Sequence, residues 1–259
     1  MQLTFCTVPV APLRKDPAHR SEMVSQLLFG EYAEVLASVE GFVKLRCLYD
    51  SYEGWCQFNQ LQPTDDEDVI LAKGFTQGYV NELAINGASI QVPYGCPMYS
   101  EDRVPATGIN YLDTVMALQQ PHSVLSTDAI QQVAFRFLNT GYLWGGKSIF
   151  GIDCSGFTQQ VFKFFGVVLF RDAYLQQGQG EIVENVARSA VGDLAFFQNE
   201  AGKVTHVGIV LNEGAIIHAS GRVRIDQLDE EGIMTQAGER THRMHSLRRY
   251  TGVVSRSSV

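Results

Sequence analysis

The stretch Asp153-Cys154-Ser155-Gly156-Phe157 is the most informative part of this 259-residue chain for predicting its fold. Apolar residues recur at helical spacing after it and a glycine then stops the pattern, which predicts a helix that begins at or just before Cys154. Unpaired N–H groups and the partial positive charge at a helix N-terminus favour a thiolate. The alternative is a small buried cysteine, but the polar neighbours on both sides favour a reactive one. Cys154 is therefore a candidate nucleophile.

Two histidines follow on what the sequence predicts to be one β-hairpin. A turn signal between two apolar, β-branched runs places Leu211 opposite Ala215 and Gly208 opposite His218. His206 lies two residues from Gly208, so both histidines share a face of the sheet as diagonal neighbours. A register slip of one residue would separate them. The pairing predicts that His206 exchanges protons with the cysteine and that His218 orients the ring of His206.

Five segments carry a resemblance to a known family. They are YLWGG (142–146), GIDCSGF (151–157), GDLAFF (192–197), HVGI (206–209) and IHA (217–219). Their order and spacing resemble those of the NlpC/P60 cysteine peptidases, which cut bacterial cell-wall peptides. The resemblance covers about residues 125–250 and implies Cys154 as nucleophile, His206 as general base and acid, and His218 as the orienting residue. It also implies a papain-like α+β core in which the nucleophile helix packs on an antiparallel sheet.

The N-terminal part predicts a small all-β module. Residues 31–36 form a candidate strand, and apolar residues alternate with basic ones over 43–47, as in a half-buried strand. The Gly54-Trp55 pair, ahead of a last strand, resembles bacterial SH3-type barrels. Residues 1–62 are therefore predicted to be an SH3b-like barrel.

The predicted fold class is α+β: a papain-like NlpC/P60 catalytic domain preceded by one or two small all-β SH3-like barrels. Residues 63–120 begin with an acidic break and are predicted to be a second, reduced SH3b-like module or a linker region. Residues 121–259 are predicted to be the peptidase domain. In this domain Ser126 caps an amphipathic helix that ends near Gly141.

Two SH3-like modules ahead of such a domain resemble the γ-D-glutamyl-L-diamino-acid endopeptidases of murein peptide recycling. Those enzymes act on short peptides with a free N-terminal L-alanine and release L-Ala-D-Glu from the diamino acid, diaminopimelate or lysine. The implied reaction is thiolate attack with formation of an acyl-enzyme.

The resemblance also implies substrate contacts. Asp153 and Asp172 would bind the ammonium group, Ser155 would anchor the peptide backbone, Tyr142 would lie near the reacting carbonyl, and Tyr52 would close the pocket. Ala173 follows Asp172 where some relatives have a serine, which implies that one contact is absent. The alternatives are an exposed loop acid for Asp172, a core or interface aromatic for Tyr142 and a barrel-surface residue for Tyr52.

Composition limits the partners and the compartment. The formal net charge of −8 and a pI near 5.2 argue against nucleic acid and anionic membranes as partners. The five cysteines are dispersed, odd in number and without a CxxC pair, which favours a reducing compartment. The first residues lack the features of a signal peptide, so we expect a cytoplasmic protein that acts on a small murein peptide. The sequence leaves the oligomeric state open.

No cofactor and no metal are expected. A zinc site made of Cys154, His206 and His218 is conceivable, but their spacing matches no standard finger or zincin pattern.

Two other functions compete with the recycling peptidase. The first is an exported peptidoglycan hydrolase or thiol amidase that acts on intact cell wall. The second is a binding protein with a spent active site, which is disfavoured because all three catalytic positions are filled.

Overall fold

Two compact units make up the chain. A computed structural model describes residues 2–64, 72, 74–85, 88–99, 118–119, 121–122, 124–212 and 214–250. The first unit consists of Met1–Pro121 and Trp144–Phe150, and the second of His122–Leu143 and Gly151–Val259. Among the described helices, none has the length and apolar character needed to cross a bilayer.

The first unit is made of strands. Those described are β1 Leu3–Cys6, β2 Val10–Arg14, β3 Met23–Leu28, β4 Tyr32–Val39, β5 Phe42–Cys47, β6 Glu53–Gln57, β7 Leu61–Thr64, β8 Gly74–Thr76, β9 Val80–Ile85, β10 Ala88–Pro93, β11 Pro97–Met98, β12 Leu118–Gln119 and β13 Lys147–Ser148. Strands β1 to β7 form one antiparallel sheet in the order β3-β2-β6-β5-β4-β1-β7. This is the SH3-like β domain that the sequence predicts.

The alternation predicted for residues 43–47 is confirmed in β5. Val43, Leu45 and Cys47 are buried in the core of the sheet. Lys44 and Arg46 point the other way, and both form ion pairs with Glu53 on the neighbouring strand β6. The strand predicted over residues 31–36 is also present, as β4, and extends to Val39.

Residues 63–120 contribute two smaller sheets to the same unit. Their strand orders are β10-β9 and β11-β8-β12. Leu83 and Val92 from the first of these sheets pack in one core with Leu28 at the end of β3. Residues 65–71 and 100–117 lie outside the described residues, so the second SH3b-like module stays a prediction.

The second unit combines three helices with one large sheet. The described elements are α1 Thr127–Phe135, β14 Gly151–Ile152, α2 Cys154–Lys163, α3 Ala173–Gln176, β15 Glu181–Val183, β16 Leu194–Gln198, β17 Val204–Asn212, β18 Ala215–Ser220, β19 Arg222–Asp229, β20 Gly232–Met234 and β21 Arg240–Arg249. The antiparallel sheet has the order β15-β21-β16-β17-β18-β19-β20 and closes on itself because β20 also pairs with β21. Helix α2 is buried and packs on β17 and β18. The papain-like α+β arrangement is confirmed.

The nucleophile helix begins and ends where the sequence predicts. Asp153 is the N-cap of α2, and its Oδ1 accepts a hydrogen bond of 2.7 Å from the N–H of Gly156. Gly166 has a φ of 69°, a left-handed conformation that glycine adopts without strain, just beyond the helix end.

Helix α1 is shorter than predicted. The side chain of Ser126 caps it by accepting from the N–H of Ala129, as expected. The helix ends at Phe135 rather than near Gly141, so the predicted end is wrong. Beyond Phe135 the chain tightens into turns with hydrogen bonds three residues apart, and Asn139 takes a left-handed φ of 66°.

Candidate active site

Cys154 is the first residue of α2 and lies against β17. The N–H groups of Val207 and Ser155 donate hydrogen bonds to its sulfur. Burial nevertheless raises the pKa of the Cys154 thiol to about 12, and the negative charge of Asp153 contributes to that rise. Desolvation therefore outweighs the helix N-terminus that the sequence emphasises, and the resting sulfur keeps its proton. For the predicted role of Cys154 as nucleophile, a neighbouring base must remove this proton.

The predicted juxtaposition of the two histidines is confirmed. Gly208 lies opposite His218 across the β17–β18 pair, and His206 lies two residues from Gly208. Nε2 of His206 lies 2.8 Å from Nδ1 of His218. A Cβ atom at position 208 would lie only 2.8 Å from Cβ of His218, so the glycine is what allows this close approach.

The tip of the hairpin differs from the prediction. Asn212, not Leu211, lies opposite Ala215, because a bulge between Val210 and Asn212 adds one residue to β17. The bulge lies on the turn side of the pairs, so the register that joins the histidines is unaffected.

Asp226 on β19 extends the histidine pair, and sequence reasoning missed it. Its Oδ2 lies 3.0 Å from Nε2 of His218 and accepts a second hydrogen bond, of 2.8 Å, from Nε of Arg224. Residue 224 is opposite His218, which makes Asp226 a diagonal neighbour of His218. The strand that follows the histidine hairpin therefore brings Asp226 beside His218, as the same pairing rule would predict for that strand.

These contacts determine where the protons lie. A carboxylate accepts only, so His218 donates from Nε2 to Asp226 and presents a lone pair at Nδ1. His206 then donates from Nε2 to that nitrogen, which leaves the lone pair of His206 on Nδ1. Burial holds the pKa of His206 well below its usual value, helped by His242, His218 and Arg224. The site thus contains a neutral imidazole able to take a proton from the thiol.

A third histidine, His242 on β21, completes a cluster that the sequence did not reveal. Its ring stacks on that of His206, with centroids 4.1 Å apart and an interplanar angle of 27°. The centroid of His218 lies 5.6 Å away. The ligand nitrogens of the three residues all lie within 4.8 Å of one another. No spacing signal identifies His242, because the closure of the sheet brings β21 to this position.

Asp153 is paired with a buried arginine. Nη1 and Nη2 of Arg171 bind its two carboxylate oxygens at 3.0 Å and 2.6 Å, and Nη1 also donates to Oγ of Ser155 at 3.0 Å. The arginine compensates the charge of Asp153. Asp172 follows Arg171 in the chain and is half-buried at the N-cap position of α3.

The two tyrosines lie in different units. Tyr142 lies beside β14 and is 37% exposed. Partial desolvation of its hydroxyl and the nearby carboxylate of Asp153 raise the pKa of this hydroxyl, so it remains a hydrogen-bond donor. Tyr52 belongs to the first unit, directly before β6, where its N–H donates to Oδ1 of Asp50. The substrate contacts of the five predicted residues stay predictions.

The environments of the five thiols predict selective alkylation. Cys154 is 6% exposed, whereas Cys6, Cys56 and Cys96 are 0% and Cys47 is 2% exposed. Because Cys154 is the most exposed of the five and lies at the N-terminus of α2, iodoacetamide should modify it faster than the other four, with a rate that rises with pH. Peptide mapping by mass spectrometry after brief labelling checks this. Comparable labelling of Cys6 or Cys96 would contradict the assignment of the nucleophile.

Family comparisons agree with both halves of the architecture. Residues 139–240 match the model described as NlpC/P60 family, and residues 13–61 match the one described as bacterial dipeptidyl-peptidase Sh3 domain.

Individual relatives extend the likeness over most of the chain. A protein named dipeptidyl-peptidase 6 from Lysinibacillus sphaericus is 28% identical over 86% of this chain and 90% of its own length. One named gamma-D-glutamyl-L-lysine dipeptidyl-peptidase from Bacillus subtilis (strain 168) is 32% identical over 75% of this chain and 71% of its own length. The crystal structure of an NlpC/P60 family protein from Bacillus cereus ATCC 10987 has a TM-score of 0.76 at 23% identity, covering 96% of this chain and 99% of that one.

Proposed function

The chain belongs to the NlpC/P60 family of cysteine peptidases, and we propose that it hydrolyses the γ-D-glutamyl-L-diamino-acid bond of murein peptides that have a free N-terminal L-alanine. The diamino acid is diaminopimelate or lysine. The observation that carries the reaction type is the line of hydrogen-bonded groups from His206 through His218 to Asp226, on the sheet against which Cys154 at the start of α2 packs.

The hydrogen bonds support one order of proton transfers. Nδ1 of His206 takes the thiol proton as the sulfur of Cys154 attacks the γ-carbonyl carbon of D-glutamate. The N–H of Cys154 and the hydroxyl of Tyr142 stabilise the oxyanion of the tetrahedral intermediate. His206 then protonates the leaving amine of the diamino acid. A water molecule, deprotonated by His206, hydrolyses the thioester and restores the thiol.

The proposed requirement for a free amine rests on two observations. Two relatives that cover most of this chain are named dipeptidyl-peptidases, and an enzyme of that kind removes two residues from a free N-terminus. In this chain Asp172 directly follows Arg171, whose guanidinium is bonded to Asp153, the capping residue of α2. We propose that the carboxylates of Asp172 and Asp153 bind the ammonium group, with Arg171 fixing the position of Asp153.

The proposed location is the cytoplasm. All five cysteines are free thiols, which suits a reducing compartment. The second candidate remains an exported peptidoglycan hydrolase or thiol amidase that acts on intact cell wall.

Blocking the substrate's amine should abolish most of the activity. We expect L-Ala-γ-D-Glu-diaminopimelate to be cleaved and its N-acetylated form to be cleaved at least about 100-fold more slowly, because the carboxylates that bind the ammonium group would lose their cation. Asp172→Asn should raise KM for the free-amine peptide far more than it changes any activity on the acetylated one. The matched control is Asp128→Asn, an exposed acid on α1.

Mass spectrometry of the products gives the result directly. Efficient cleavage of the acetylated peptide or of glycan-linked stem peptides would overturn the recycling assignment and favour the wall hydrolase.

A further inference from the structure

We propose that His206, His218 and His242 form a binding site for Zn²⁺, and that Zn²⁺ bound there reversibly inhibits the enzyme. The metal binding is independent of the proposed peptidase reaction, whereas the inhibition rests on it. The site differs from the zinc site considered from sequence, since it uses His242 in place of Cys154.

The first support is the convergence of three ligand nitrogens. His206, His218 and His242 come from β17, β18 and β21, and their ligand nitrogens lie within 4.8 Å of one another. Zn–N bonds of about 2.0–2.1 Å in a tetrahedral site place ligand nitrogens about 3.3 Å apart. Nε2 of His206 and Nδ1 of His218 are 2.8 Å apart, and the rings of His206 and His242 are stacked. Side-chain rotations that separate the first two nitrogens and turn the ring of His242 out of this stack are therefore needed to aim all three lone pairs at one ion.

The second support is that, in His218 and His242, the ring nitrogen that would not bind the metal already has a hydrogen-bond partner. Nε2 of His218 is bonded to the carboxylate of Asp226, which Arg224 holds in turn. Nδ1 of His242 is 2.9 Å from Oγ1 of Thr241, which leaves Nε2 of His242 as its ligand atom. Zinc-binding histidines characteristically use their second nitrogen in this way, because the outer hydrogen bond fixes the tautomer and the ring orientation.

The third support is the chemistry of the ligand set. A set of three imidazoles suits Zn²⁺ and its transition-metal neighbours rather than Mg²⁺ or Ca²⁺, which prefer oxygen ligands.

Inhibition follows from the proton positions. The ion takes the place of the proton between His206 and His218, so His206 must move that proton from Nε2 to Nδ1. No net proton is released, but the lone pair that accepts the thiol proton is lost. Three protein ligands leave a fourth position, which water fills.

The test uses the purified full chain and compares two histidines of the same strand. Calorimetric titration with Zn²⁺, and the visible absorption of bound Co²⁺, measure binding without reference to catalysis. We expect one-to-one binding that His242→Gln weakens at least about tenfold, since even the loss of an outer hydrogen-bond partner costs that much. His245→Gln, an exposed histidine three residues along β21, should leave binding unchanged.

The activity assay completes the test. Zn²⁺ should inhibit hydrolysis of the free-amine peptide, a chelator should restore it, and Mg²⁺ should have no effect. Relative to its own rate in chelator, His242→Gln should lose its sensitivity to Zn²⁺. His242→Phe, which keeps a ring against His206 without a ligand nitrogen, should behave in the same way if the glutamine variant folds poorly.

Two results would overturn the proposal. The first is equal Zn²⁺ affinity in His242→Gln and in the parent chain. The second is loss of metal binding in Cys154→Ala, which would make the thiol the ligand. If the peptide is not hydrolysed but His242-dependent Zn²⁺ binding remains, the proposed function fails and the metal site stands.

Discussion

Replacing Cys154 with alanine is expected to abolish hydrolysis of the free-amine murein peptide, with a loss of about 10⁵-fold or more in kcat, as is usual when a covalent nucleophile is removed. Cys154→Ser should be similarly inactive, because a serine hydroxyl holds its proton more tightly than a thiol in a site whose base is a neutral imidazole. Product formation measured by mass spectrometry over long incubations checks both variants.

The fold of these variants should survive. Only the sulfur atom is removed or exchanged for oxygen. The N-cap hydrogen bond from Gly156 to Asp153 does not involve this atom. Circular dichroism and the thermal midpoint should therefore stay close to those of the parent. Normal turnover by a folded Cys154→Ala protein would show that another group attacks the substrate.

The second large effect is expected at His218. His218→Ala removes both the acceptor for Nε2 of His206 and the link to Asp226, so kcat should fall about 10²- to 10⁴-fold while KM changes little. His206→Ala should be at least as damaging, because it removes the base itself. Steady-state kinetics on the free-amine peptide separates kcat from KM.

Asp226 tests the proposed tautomer. In Asp226→Asn an amide N–H can face Nε2 of His218, which reverses the donor and acceptor order along the chain of groups, so kcat should again fall with KM little changed. Arg224→Gln, which leaves the carboxylate in place, is the milder control.

For the His218 prediction, an unaffected rate in His218→Ala would show that another residue holds the ring of His206.

Local patterns in the sequence were sufficient for the parts of the site that lie on neighbouring strands. The predicted register joins His206 to His218 because the buried face leaves only one way to pair β17 with β18. The helix start at Cys154 follows from the capping residue before it and the apolar spacing after it.

The other parts of the candidate site depend on contacts between residues that are far apart in the sequence, which no local pattern encodes. Arg171 reaches back 18 positions to Asp153, so the charge balance beside the nucleophile was not apparent from the motif. His242 joins the site only through the curvature of a closed sheet. The balance of effects on the pKa of Cys154 has the same origin, because the sequence shows the helix N-terminus but not the desolvation that opposes it.

The closure of the sheet also bears on the order in which the protein can be completed during synthesis. Strand β21 pairs with β15, β16 and β20, all of which leave the ribosome before it. Cys154, His206 and His218 are therefore present in the nascent chain before the strand that holds the sheet in its final curvature. A ribosome that stalls before residue 240 would release a chain that contains the nucleophile and both histidines but lacks the closed sheet that positions them.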